Sequence, residues 1–175
     1  EVLFDKGLVA VELTAKDGLS LINGTSQMSA FATIAHQELS DLLVLADVIL
    51  AMSMDARSCS LTPSRAEVHE ARPHPGQMLV AQRLRTILSG SSILHDHASC
   101  DRVQDPYSFR CAPQVHGAVH ESYVRLDEML RRELNSATDN PLIFPEPSNP
   151  GAHEVVSQGN FHGEIVALTC DGMSL

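Results

Sequence analysis

Aromatic residues are scarce in this chain: no tryptophan, two tyrosines and five phenylalanines among 175 residues. Basic residues are scarce too, 12 against 22 acids, which leaves a net charge of −10. That balance repels phosphate backbones and anionic lipid, so nucleic acid and membrane surfaces are excluded as partners, and small molecules or proteins remain. No C-x-x-C pair occurs among Cys59, Cys100, Cys111 and Cys170. Such thiols read as free, in a reducing compartment. There is no long hydrophobic run. The most apolar stretch, Leu42 to Met52, contains Asp47 and falls well short of the roughly 20 residues of a spanning helix. No signal-peptide pattern opens the sequence, and a cytoplasmic location is expected.

What is present is an ordinary globular composition, 43% apolar and 19% charged, enough for a single domain with one core. A lead-in segment, 1–23, precedes a helical core, 24–175. Met28, Phe31, Ala35, Leu39, Leu42, Ala46 and Ile49 follow a helical period and predict a long helix capped by Thr25 or Ser26 and buried over much of its circumference. A loop with Pro63, Pro73 and Pro75 leads to a second helix, about Gln77 to Ser89, closed by Gly90. The stretch from Ser89 to Pro113 reads as irregular. A third helix follows Pro113, with Val115, Val119, Tyr123, Leu126, Leu130 and Leu134 as its stripe. Glu121–Arg125, Asp127–Arg131 and Glu128–Arg132 form i,i+4 pairs on its outer side. The helix stops before Pro141, a turn-rich connection follows, and a last helix begins near Phe161. The expectation is an all-α, long-helix bundle, the central piece of a larger helical protein truncated at both ends.

Several residue groups carry candidate chemistry. His95, His97 and Cys100 are metal-ligand types, but no further ligands stand at zinc-site spacing, and local hydrogen bonding is the expected role; no metal is expected. His116 and His120 share a helix face without a glutamate between them, which favours helix packing over a metalloprotease pair. Asn23 is either a turn residue or an amide offered to a ligand. In "QDPYSFRCAPQV", Pro106 fixes a kink from which Gln104, Tyr107 and Arg110 could converge on one point. Arg110 suits a carboxylate, and Tyr107 could pass a proton or place its hydroxyl on a polar atom. The alternative is a helix-entry loop whose polar groups satisfy its own backbone.

Taken together, "LINGT" (21–25), "RPHPGQ" (72–77), "CDRVQDPYSFRCAPQVHG" (100–117), "TDNPLIF" (138–144) and "GNFHGE" (159–164) resemble, in order and spacing, the histidine ammonia-lyase branch of the aromatic amino-acid lyases. The resemblance covers nearly the whole chain. It implies a mainly helical homotetramer that eliminates ammonia from L-histidine to give trans-urocanate. It also implies an electrophile, methylidene-imidazolone (MIO), made by cyclising an Ala-Ser-Gly triplet. By the same resemblance Asn23 sits beside that group, Gln104 and Tyr107 belong to the catalytic polar network, Arg110 holds the substrate carboxylate, and Phe161 lies near the prosthetic group. In such enzymes the site draws on more than one subunit.

The chain departs from the family pattern in several places. No Ala-Ser-Gly occurs in it, the triplet being expected upstream of Glu1, so the chain by itself is expected to be inactive. Ser26 and Gln158 stand where the family commonly has glutamine and glycine. Two rival expectations are a tyrosine or phenylalanine ammonia-lyase or aminomutase of the same family, and a non-catalytic helical oligomerisation module.

Overall fold

The computed structural model describes residues 2–174. Short helices α1 (Val2–Asp5) and α2 (Asp17–Ser20) lie in an exposed lead-in. They precede α3 (Ser26–Ala56), a 31-residue helix uninterrupted by proline or glycine. At about 1.5 Å per residue it spans about 45 Å. A 3-10 turn (Thr62–Ser64) and α4 (Ala66–Glu70) lead to α5 (Pro75–Ile87). Then come α6 (Ser92–Asp96), α7 (Tyr107–Arg110), α8 (Ala112–Glu133) and α9 (Glu164–Ser174).

Local chemistry accounts for the boundaries. Pro75 and Pro113 sit in the first turns of α5 and α8, where a missing N–H costs nothing. Gly90 takes φ +81° just beyond α5. Ser91 caps α6 by accepting the Leu94 amide at 3.1 Å. Arg131 and Arg132 complement the carbonyl end of α8. All three expected ion pairs form on its outer side: Glu121–Arg125 at 3.9 Å, Asp127–Arg131 at 2.6 Å and Glu128–Arg132 at 3.5 Å.

The core is divided along α3. Leu50, Ala51 and Met54 at its C-terminal end pack with Cys59, Val80, Leu84, Leu88 and Ala112. Ala32 near its start packs with Leu126, Met129, Leu130 and Val166. Helix α8 therefore runs antiparallel to α3 and joins both clusters. Where α5 crosses α8 the backbones touch. A Cβ on Gly76 would lie 2.1 Å from the Gly117 carbonyl oxygen, and one on Gly117 would lie 2.4 Å from the Gln77 nitrogen.

Between the two clusters a carboxylate is buried. Asp47, 1% exposed, accepts from Arg83 Nη1 at 2.8 Å, His116 Nδ1 at 2.9 Å and His120 Nε2 at 2.9 Å. Three helices, α3, α5 and α8, are pinned through one side chain. His116 and His120 do pack, but by hydrogen bonding to a buried charge rather than through apolar contact.

Several details of the expected elements differ in the structure. The buried side of α3 carries Ser29, Ala32, Asp47, Leu50, Ala51 and Met54, whereas Phe31, Leu42 and Ile49 of the expected stripe are exposed. Because apolar residues line more than one face, periodicity alone could not choose between them. On α8, Leu126 and Leu130 are buried, but Val115, Val119 and Leu134 are exposed, and Gly117 and His120 take the inner positions. Residues 142–156 also hold a small antiparallel hairpin, β1 (Leu142–Pro145) with β2 (His153–Val156), Leu142 opposite Val156 and Pro145 opposite His153. The fold is mainly helical, as expected, with this hairpin as a small addition. The second helix starts at Pro75 and the last at Glu164; Ser89 to Pro113 contains two short helices.

Candidate active site

The residues singled out by sequence fall into two groups, one at each end of α3. At the N-terminal end, Asn23 and Gly24 meet the turn before β1. Gly24 has φ +79°, and a Cβ there would lie 2.1 Å from the Thr138 carbonyl oxygen, so this approach needs glycine for both conformation and space. Asn23 Nδ2 donates to Asp139 Oδ1 at 3.0 Å. Thr25, buried, donates to Glu133 at the end of α8. Gly163 lies against Met28, where a Cβ would come 2.4 Å from its sulfur. Phe161, 41% exposed, stands on the same loop.

Asp139 is the hub of this group. Lys16 Nζ lies 2.6 Å from Oδ2 and Ser20 Oγ 3.3 Å from it, while the Asn140 amide donates to Oδ1 at 2.8 Å. Hydrogen bonds from Lys16, the Asn140 amide and Asn23 lower the carboxyl to about 2. The backbone carbonyl of Asp139 accepts Gln158 Nε2 at 2.6 Å, and Gln158 Oε1 accepts the Asn160 amide. The sequence motifs around Asn23, Asp139 and Phe161 are thus joined by hydrogen bonds.

At the C-terminal end of α3, the kinked string is anchored by Asp105. This residue, 7% exposed, accepts the Ser60 amide at 2.7 Å and Arg102 Nη1 at 3.1 Å. Arg102 also donates to the carbonyls of Arg57 and Ser58, placing a cation at the negative end of α3. Gln104 and Arg110 line a cavity of about 930 Å³ together with Cys59, Arg65, Arg85 and Arg102. Four guanidinium groups against Asp105 make this cavity cationic within an acidic chain. Arg110 Nε is buried and has no partner among the described residues. Tyr107 does not line the cavity. It is 72% exposed, with the Arg110 guanidinium carbon 5.9 Å from its ring centre. Gln104 and Arg110 line the same cavity; Tyr107 is linked to Arg110 through its cation–π contact.

The two groups do not meet within one chain, because the length of α3 separates them. Sequence reasoning passed over Asp139 and Asp105, although both lie inside quoted motifs; each acts by accepting hydrogen bonds from distant residues, and no local spacing reports that. All four cysteines are free. Among the described residues no group of three His, Cys, Asp or Glu side chains is arranged to hold a metal. No helix among them is long and apolar enough to cross a membrane.

Comparison with known proteins gives a consistent match. The aromatic amino acid lyase family matches residues 1–175. A histidine ammonia-lyase from Sorangium cellulosum (strain So ce56) is 47% identical over 165 residues, which are 94% of this chain and 32% of that protein. The crystal structure of histidine ammonia-lyase from Trypanosoma cruzi superimposes with a TM-score of 0.81 at 44% identity, covering 99% of this chain and 30% of that one. A tyrosine aminomutase from Streptomyces globisporus gives 0.83 at 34% identity, covering 99% and 35%. The chain spans about a third of the length of the curated relatives it matches.

Proposed function

Because the chain belongs to the aromatic amino acid lyase family, we propose that it is part of an ammonia-lyase that converts L-histidine to trans-urocanate and ammonia. The observation that carries this reading is Arg110. Its buried Nε lacks a partner among the described residues, and the residue lines a cavity shared with Gln104, Arg65, Arg85 and Arg102, an arrangement suited to a carboxylate.

The geometry supports the following roles. Arg110 binds the substrate carboxylate, and Gln104 adds a polar contact in the same cavity. Tyr107, with its exposed ring against the guanidinium, offers its hydroxyl outward to a group supplied from another part of the assembly. Asn23 commits one N–H to Asp139 and keeps its carbonyl oxygen and second N–H for a partner. That donor set fits a small polar heterocycle such as MIO, whose contribution when bound is an electron sink that ordinary side chains lack. Phe161, half-exposed on the loop that Gln158 ties to Asp139, provides an apolar wall. The chain contains no Ala-Ser-Gly, so by itself it is expected to make no urocanate.

About 45 Å of helix separates Asn23 from Arg110, so a working site needs the two ends of different copies. The outer face of α3 supports such assembly. Phe31, Ile34, Leu42, Leu45, Ile49 and Met52 are all more than half exposed, an apolar stripe of the kind that packs against another helix. A homotetramer completes the reading, located in the cytoplasm.

A second reading is a tyrosine or phenylalanine lyase or aminomutase, favoured by the likeness to the Streptomyces aminomutase. Supplying the full-length protein with L-histidine, L-tyrosine and L-phenylalanine separates the two. Urocanate absorbance with histidine alone supports the histidine lyase; an arylacrylate or a β-amino acid instead supports the second reading.

A further inference from the structure

The hydrogen bonding at the N-terminal end of α3 points to a role for a residue that the proposed function leaves without one. We infer that Asp139 is a positioning residue, fixing the Asn23 carboxamide with its carboxylate and holding the Phe161 loop with its backbone carbonyl. The inference rests on the proposed role of Asn23 in the reaction and deepens it.

The argument begins with acceptor capacity. An ionised carboxylate has about four lone-pair positions and no proton to give. Asp139 fills them with Lys16 Nζ and Ser20 Oγ on Oδ2, and Asn23 Nδ2 and the Asn140 amide on Oδ1. Since it accepts only, the NH₂ of Asn23 must face it, and the carbonyl oxygen must point elsewhere. A neutral amide at 139 would remove this constraint, because it can meet either end of the Asn23 carboxamide. The same residue reaches the other loop through its main chain. Its carbonyl holds Gln158 Nε2 at 2.6 Å, and the Gln158 amide in turn donates to Asn140 Oδ1 at 2.7 Å. Gln158 Oε1 then receives the Asn160 amide, immediately before Phe161. One residue thus fixes both partners of this half-site, which lie more than 130 positions apart in sequence. Lys16 supplies charge from the opposite side without touching Asn23, so it serves as a control for a merely structural ion pair.

The test is a double-mutant cycle in the full-length protein, reading kcat, KM and melting temperature, with a crystal structure of Asp139→Asn. Misplacing a reacting group by about 1 Å costs about 100-fold. Asp139→Asn is therefore expected to lower kcat by about that factor with KM within about twofold, and to add nothing to Asn23→Ala. Lys16→Met should leave kcat within about twofold. The crystal structure should hold the Asn23 amide turned away from its wild-type orientation. Additive losses overturn the inference alone, as does Lys16→Met matching Asp139→Asn. An unchanged kcat in Asn23→Ala overturns the proposed role of Asn23 as well. If Asp139→Asn does not fold, a high-resolution crystal structure of the unmodified protein decides: Asn23 Nδ2 on Asp139 supports the inference, and Asn23 turned away contradicts it.

Discussion

Asn23 and Arg110 stand at opposite ends of a single helix, one beside the turn that precedes α3 and the other in the cavity beyond its last residue. Each is tied down by a buried or half-buried aspartate, Asp139 for the first and Asp105 for the second string. In the proposed function these are two halves of a site carried at the ends of one long helix, which sets the distance between them, and assembly of copies would bring complementary halves together.

Removing the carboxylate of Asp47 leaves Arg83, His116 and His120 converging on nothing. Breaking a buried ion pair on one side costs several kcal/mol, so Asp47→Ala is expected to lose about 3 kcal/mol in urea unfolding. A loss comparable to that of an exposed ion pair would contradict the pinning role.

Acid should weaken the same contact. Burial disfavours ionisation of Asp47, but hydrogen bonds from Arg83, His116 and His120 outweigh it and hold the carboxyl below its ordinary value. A group with a depressed folded-state pKa contributes fully above its unfolded value, about 3.9, and loses that contribution as pH falls through the folded value. The gap in melting temperature between the wild type and Asp47→Asn should thus narrow as pH falls below about pH 4. A gap that widens below about pH 4 would reverse the sign of the argument.

Much of this was legible in the sequence, and the limits have physical causes. The long helix, the i,i+4 pairs on α8 and the motifs near Asn23 and Arg110 depend on local spacing, which a single sequence carries. The orientation of α3 does not. Its second apolar stripe, from Phe31 to Met52, competes with the stripe through Ala32, Leu50 and Met54, and only the packing of α5 and α8 selects between them. The Leu142–Val156 hairpin was hidden because its strands have four residues each and are mostly exposed, too short for an alternating pattern. Asp47 read as an interruption of an apolar run, since its partners lie 36 to 73 residues away.

The α5–α8 crossing should tolerate no methyl group. Alanine at Gly117 would bring its Cβ against the backbone of Gln77, which cannot step aside as a flexible side chain would. Overpacking of this kind costs about 2 kcal/mol or more. Gly117→Ala is expected to show that loss by thermal melting, whereas Gly172→Ala, with open space around it, should be neutral or mildly stabilising.

The exposed stripe on α3 predicts self-association. Light scattering on the chain should give an oligomer, and Leu45→Glu together with Ile49→Glu should reduce its mass while leaving helical circular dichroism unchanged. A monomer before substitution would remove the support that this face gives to assembly.

The most direct measurement is complementation in the full-length protein. Asn23→Ala and Arg110→Met are each expected to abolish most urocanate formation as homo-oligomers, because every site loses one half. Co-expressed and purified as mixed oligomers, they should recover measurable activity, since some sites then combine an intact Asn23 end with an intact Arg110 end from different copies. Mixed oligomers as inactive as either parent would contradict the account.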